Sequence, residues 1–107
     1  MVIRQFSQRF SILSNYFGAF NASAFLLGAR GYVSQAVNFS PRNSLKILAA
    51  LRSGDYGQAT ERYLQVDGEY YDSVGKLFGE GYQGEGNFIK ACMRLVGIDC
   101  GPARPPH

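Results

Sequence analysis

Residues 10–34 read FSILSNYFGAFNASAFLLGARGYVS, and the fold class turns on them. Phe10-Ser11-Ile12-Leu13 alternates apolar and polar before staying apolar, and Tyr32-Val33 stands between Gly31 and a polar pair, so both read as short buried strands. Asn21 can cap a short helix over 22–27, which Gly28 ends. Strand, helix and strand in that order form a βαβ unit, whose connection requires parallel strands. Two parallel strands do not make a stable sheet by themselves. Each leaves an open edge, and parallel sheets occur with both faces covered.

From Ser40-Pro41 the pattern changes. A hydroxyl at the N-cap and a proline at the first helical position open a helix on which Leu45, Leu48 and Leu51 recur every three residues, with Ile47 beside them, and Gly54 closes it. Asp55 caps a second helix, with Gln58 placed to complete a capping box. Tyr56, Ala59, Tyr63, Val66, Tyr70, Val74 and Leu77 then form one apolar stripe about six turns long. Gly68 inside it weakens the helix by roughly 1 kcal/mol relative to Ala and offers a bend. A glycine-rich loop over 79–86 leads to Asn87, the expected cap of a third helix with Phe88, Cys92 and Leu95 on one face and Gly97 at its end. The proline-rich tail, 101–106, is extended.

The chain has 107 residues, 46% of them apolar and 18% charged, which suits one domain with a small core and does not suit disorder. The longest candidate apolar run, 22–29, includes Ser23 and Gly28 and falls far short of the ~20 residues of a membrane helix, so no membrane partner is expected. Cys92 and Cys100, with seven residues between them and no histidine near, fit neither a zinc site nor a disulfide framework. They read as two plain thiols in a reducing, cytoplasmic setting. His107 is the single histidine and the last residue, which leaves a Ser-His or Cys-His pair without its base.

Net charge is +3, unevenly spread. Positions 1–52 hold six bases (Arg4, Arg9, Arg30, Arg42, Lys46 and Arg52) and no acid, whereas 53–107 hold five bases and all eight acids. An acid-free half with Phe6, Phe10, Tyr16 and Phe17 among its arginines leaves a nucleic-acid-binding module open as an alternative. It fits an organellar transit peptide better than a secretory signal, whose apolar core would be broken by Ser11, Ser14, Asn15, Tyr16 and Gly18. Gly79, Gly81 and Gly84 formally satisfy a dinucleotide pattern, but that pattern needs a strand before it, and Glu80 and Glu85 would repel phosphate.

Gly31-Tyr32-Val33-Ser34, Asn38-Phe39-Ser40-Pro41, Gly54-Asp55 one helix later, Phe88-Ile89-Lys90-Ala91 and Leu95-Val96-Gly97 come in a telling order. With it the chain, from about Phe10 to Pro106, resembles the C-terminal part of the dihydrodipicolinate synthase and N-acetylneuraminate lyase superfamily. Asn38-Phe39, Arg94-Leu95-Val96-Gly97 and Gly101-Pro102-Ala103-Arg104-Pro105-Pro106 also resemble its 5-dehydro-4-deoxyglucarate dehydratase branch. The resemblance implies an α/β fold, a (β/α)8 TIM barrel with a three-helix C-terminal extension. Residues 1–40 would hold its last βαβ part, with strands seven and eight, and 41–107 the final barrel helix and the extension, mostly helical in content. A complete barrel takes roughly 250 residues.

Family resemblance further implies a lyase, an aldolase or dehydratase in which a strand-six lysine forms a Schiff base with a pyruvate-like 2-oxo acid and a tyrosine relays protons. Neither position falls within the matched stretch, so no catalytic residue is expected here. No cofactor, metal or nucleic acid is implied, and homo-oligomers are. A Schiff-base lysine must lose its proton near neutral pH, which takes burial or a neighbouring cation; Lys46, Lys76 and Lys90 instead read as helix-surface residues. Barrel sites lie at the C-terminal ends of strands. By resemblance Val33 would then be an apolar wall of the substrate pocket, and Ser14, Asn15, Ser34 and Asn38 would stand around it, the last two also holding the turn into the next helix. The expectation is therefore a fragment inactive alone, with a noncatalytic subunit or relic bound to full-length relatives as the alternative.

Overall fold

Pro41 and Gly54 bound the longest helix because one needs no amide hydrogen at the first turn and the other accepts a left-handed backbone, φ +80°, at the last. The computed structural model describes residues 2–15, 20–79 and 84–105. Its elements are α1 (Val2–Phe6), β1 (Leu13–Ser14), α2 (Asn21–Leu26), β2 (Gly31–Tyr32), a 3-10 turn (Ala36–Asn38), α3 (Pro41–Ser53), α4 (Tyr56–Tyr63), a π-turn (Leu64–Gly68), α5 (Glu69–Phe78) and α6 (Glu85–Leu95). The chain is mostly helical with one small sheet, in which β1 and β2 run parallel with Leu13 opposite Gly31 and Ser14 opposite Tyr32. Backbone bonds from Arg30 to Ile12 (2.9 Å) and Val33 to Ser14 (2.8 Å) extend the pairing at both ends.

The first strand begins later than its alternation indicates. Phe10 lies in the turn that follows α1, where its amide donates to the Phe6 carbonyl at 2.9 Å and its ring meets that of Phe6 at 6.3 Å. Asn21 does not cap α2 either. It lies inside the first turn, 3% exposed, with Phe20 at the cap position and no side-chain cap bond.

On α3 the every-third leucines do not form the buried face. Leu45 is 66% exposed, while Ser44, Ile47, Ala50 and Leu51 are buried. Spacing of three falls 60° short of a full turn at each step, so Leu45 and Leu51 end 120° apart, whereas Ser44, Ile47 and Leu51 stay within a narrow arc. Ser40 makes no side-chain cap bond, but its carbonyl accepts from the Ser44 amide (3.2 Å) and hydroxyl (3.3 Å). Asp55 caps α4 by accepting from the Gln58 amide at 3.2 Å. Its own amide donates back to the Ala50 carbonyl, 2.9 Å, so it is already used in closing α3.

The long stripe is one run of chain in three pieces. Ala59, Tyr63, Tyr70 and Val74 are buried as expected, but Val66 is only half-buried, Leu77 is 63% exposed, and Asp67 faces the interior at 1% exposure. The wider π-turn ending at Gly68 accounts for the exchange, because an extra residue per turn rotates position 66 away from the core and 67 into it. The core of Ile47, Ala50, Leu51, Ala59 and Tyr63 is flanked by Phe25, Tyr32, Tyr56 and Tyr71. A second cluster surrounds Tyr70, whose ring lies 5.4 Å from Phe39, 5.1 Å from Tyr71 and 5.5 Å from Phe88. It seats α6 on α5, with Tyr70 donating to Glu85 at 3.1 Å.

Helix α6 starts two residues before Asn87, behind Gly84, and Leu95 is 89% exposed rather than on the buried face. Gly97 stops it as expected, with the Ile98 amide donating to the Met93 carbonyl at 2.9 Å. Gly75, in α5, has nothing within 4 Å of where a Cβ would stand. Gly75→Ala is therefore expected to raise stability by about 0.5–1 kcal/mol, seen as a melting temperature a few degrees higher.

Candidate functional site

The register of the sheet decides which side chains share a face. Tyr32 turns toward α3 and donates its hydroxyl to the Ser44 carbonyl at 2.9 Å, so the Ser14–Tyr32 pair lies on the helix side. Leu13 and Gly31, one residue earlier in each strand, lie on the other side, and Val33 joins them by alternation. That side is uncovered: Leu13 is 60% and Val33 50% exposed, unusual for apolar residues of a parallel sheet.

A mostly apolar cleft of about 650 Å³ runs along β1, from Ile12 to Asn15, against α1 and α2. Its wall includes Leu13, Ser14 and Asn15, with Val2 and Ile3 of α1 on one side and Phe20 on another. Ser14 is buried there, and its hydroxyl has no hydrogen-bond partner among the described residues. An unsatisfied buried hydroxyl in a cleft can take up a polar ligand atom at little further desolvation cost. Asn15 is exposed at the rim.

The other three expected site residues are elsewhere. Val33 is on the open sheet face and is not among the cleft residues. Ser34 faces the helices and donates to the Asp67 carboxylate oxygen Oδ2 at 2.6 Å. Asn38 is exposed and donates from Nδ2 to the Gln35 carbonyl at 2.9 Å, which holds the 3-10 turn. Asp67, which no sequence pattern singles out, is the buried acid of this region, and burial pushes its carboxyl above the ordinary 3.8 although the Ser34 bond pulls the other way. Burial likewise pushes the Tyr32 and Tyr71 phenols up to about 12. Only Gly68, a weak helix residue inside the stripe, points to a bend there.

Cys92 is half-buried and Cys100 exposed, both as free thiols. No group of three or more His, Cys, Asp or Glu that could hold a metal occurs among the described residues. No described helix is long and apolar enough to cross a membrane. The middle of the glycine pattern, 80–83, and Tyr16, Phe17, Gly18, Pro106 and His107 lie outside the described residues, and with them part of the targeting and nucleic-acid readings.

In α/β folds, sites are built at the C-terminal ends of parallel strands, and here the cleft along β1 reaches that end at Asn15. Over residues 1–107 the sequence matches the Dihydrodipicolinate synthetase family, and the chain belongs to that family. Two relatives described as "Probable 5-dehydro-4-deoxyglucarate dehydratase", from Acinetobacter baumannii strains AB307-0294 and AB0057, are each 32% identical to it over 80 residues. The match takes in 75% of this chain and 25% of each relative, so the chain spans about a quarter of the length of these curated relatives. No solved structure matches it.

Proposed function

We propose that the chain supplies the C-terminal part of a Schiff-base 2-oxo-acid aldolase or dehydratase, and that it forms no imine alone. In this reading β1 and β2 are strands seven and eight of a (β/α)8 barrel, residues 41–107 carry the last barrel helix and its extension, and the complete protein is a homo-oligomer. The observation that carries the reading is the open sheet face, where Leu13 and Val33 stand 60% and 50% exposed on the side away from α3. In a closed barrel that side is the packed interior. Family membership supplies the chemistry, and the relatives' description favours a dehydratase acting on a deoxy sugar acid with a keto group.

Within such a site Val33 would line the substrate's carbon chain and the Asn15 amide, which alternation puts on the Leu13 side of β1, would offer hydrogen bonds to its oxygens, whereas Ser14 lies on the opposite face. Ser34 and Asn38 already spend their polar groups within the chain. None of the three lysines suits imine formation. Lys46 and Lys76 are exposed, and Lys90 donates from Nζ to the Pro102 carbonyl at 3.0 Å at the surface. None of the three lines the cleft along β1.

Incubation with pyruvate and borohydride, read by mass spectrometry, is expected to leave the 107-residue chain unmodified. The same chain joined behind the preceding barrel portion of a relative is expected to gain one reduced pyruvate adduct. Labelling of the isolated chain would overturn the lysine argument.

A further inference from the structure

Asp67 sits on the π-turn between α4 and α5 at 1% exposure, and Ser34 directly follows Val33 at the end of β2. The 2.6 Å bond from Ser34 Oγ to Asp67 Oδ2 ties these two places together across 33 residues of chain. The second carboxylate oxygen, Oδ1, is buried with no hydrogen-bond partner among the described residues. We propose that Asp67 and Ser34 form a proton-dependent latch that fixes the backbone where β2 ends and so holds Val33 toward the open face of the sheet. Its bearing on a substrate wall rests on the lyase reading above; the latch itself does not.

Geometry makes the proton matter. An ionised carboxylate needs several hydrogen bonds or a cation when buried, and this one has the Ser34 hydroxyl and its own backbone amide, which together do not offset the burial. Its electrostatic neighbours, Tyr32 on β2 and Tyr71 on α5, are phenols pushed up to about 12, so both stay neutral and neither supplies positive charge. Tyr32 has its proton committed to the Ser44 carbonyl, and Tyr71 is engaged in a backbone hydrogen bond at Gln35. The neutral acid demands less of its surroundings than the anion. Burial accordingly raises its proton affinity in the folded chain above the ordinary value of 3.8.

The sign follows from linkage. A group whose proton is held more tightly when folded contributes stability that is full below its unfolded value, near 3.8, and is lost as pH rises through the higher folded value. Ordinary surface-paired acids do the reverse. Above its folded value the buried anion draws water toward Oδ1, and the π-turn, whose backbone bonding is irregular, is the place where the chain can open to admit it.

Carboxyl-carbon NMR of the 107-residue chain, followed with the Val33 and Ser34 amides from pH 3 to 8, tests this. The expected result is an Asp67 midpoint clearly above that of an ordinary aspartate, with both amides shifting at the same midpoint. Asp67→Asn is expected to abolish the amide step. Ser34→Ala is expected to move the midpoint further up, because the hydroxyl opposes the rise. An Asp67 midpoint at or below the ordinary value overturns the latch, as does an amide step that survives in the Asp67→Asn chain. Should that variant not fold, the titration of the unaltered chain decides alone. No readout uses activity, so a failed imine trap and a failed latch are separate results.

Discussion

Truncating Ile47 to alanine is expected to cost about 2–5 kcal/mol of folding free energy, a large fraction of the roughly 5–15 kcal/mol that a chain of this size holds. Ile47 is 1% exposed at the centre of the cluster formed with Ala50, Leu51, Ala59 and Tyr63, which Tyr32 and Phe25 complete from the strand and α2. Removing its outer carbons leaves a cavity that a close-packed aromatic surround cannot fill. Leu45→Ala, two residues away on the same helix and 66% exposed, is expected to change stability by less than about 0.5 kcal/mol. Urea unfolding of the pair measures the difference directly. Equal losses would mean that α3 packs by its every-third leucines and that the buried arc described above is wrong.

That contrast also shows what a sequence carries and what it hides. Pro41, Gly54, Asp55 and Gly97 mark helix ends through backbone rules that act within a few residues, and the structure has each boundary where those rules put it. Side-chain identity along a helix is weaker information. Leu45 and Leu48 look like core because leucine is apolar, yet it is the angle between positions that decides which residue faces the sheet. Asn21 and Asn87 likewise look like caps, but the cap positions fall earlier, at Phe20 and Gly84. Phe10 was readable as strand only while the short α1 ahead of it, which has no strong start signal, went unnoticed.

The candidate site was legible in half. Parallel pairing of the strands, and with it the cleft end of β1 at Ser14 and Asn15, follows from the βαβ order. The separation of Val33 from Ser34 follows from strand alternation, which sends consecutive side chains to opposite faces. What no pattern revealed is Asp67. Under 3.6-residue periodicity Asp67 falls about 40° from Tyr63, at the margin of the apolar stripe, where an acid reads as a boundary residue, and the π-turn, which periodicity does not encode, turns it fully inward. The residue with the most perturbed environment near β2 was therefore visible only in three dimensions.

Gly28→Ala is the second substitution with a large expected effect, a loss of about 2–4 kcal/mol. Gly28 holds φ +110°, which side chains rarely tolerate, and an added Cβ would stand 2.7 Å from both Cβ and Oγ of Ser7. Ser7 is buried just beyond α1, its amide bonded to the Ile3 carbonyl at 2.9 Å. The cheapest relief is for the α1 segment to lift away from the end of α2, carrying Val2 and Ile3 off the cleft they help to close. The expected signature is thus local as well as global: amide protection and protease resistance fall over residues 2–10 while α3 to α5 keep theirs. The double change Ser7→Gly with Gly28→Ala separates the two causes, since it removes the clash and leaves the backbone strain. Partial recovery of stability with α1 restored is expected. If Gly28→Ala alone leaves both stability and protection of residues 2–10 unchanged, α1 does not rest on α2, and the cleft over Ser14 and Asn15 has no fixed wall on that side.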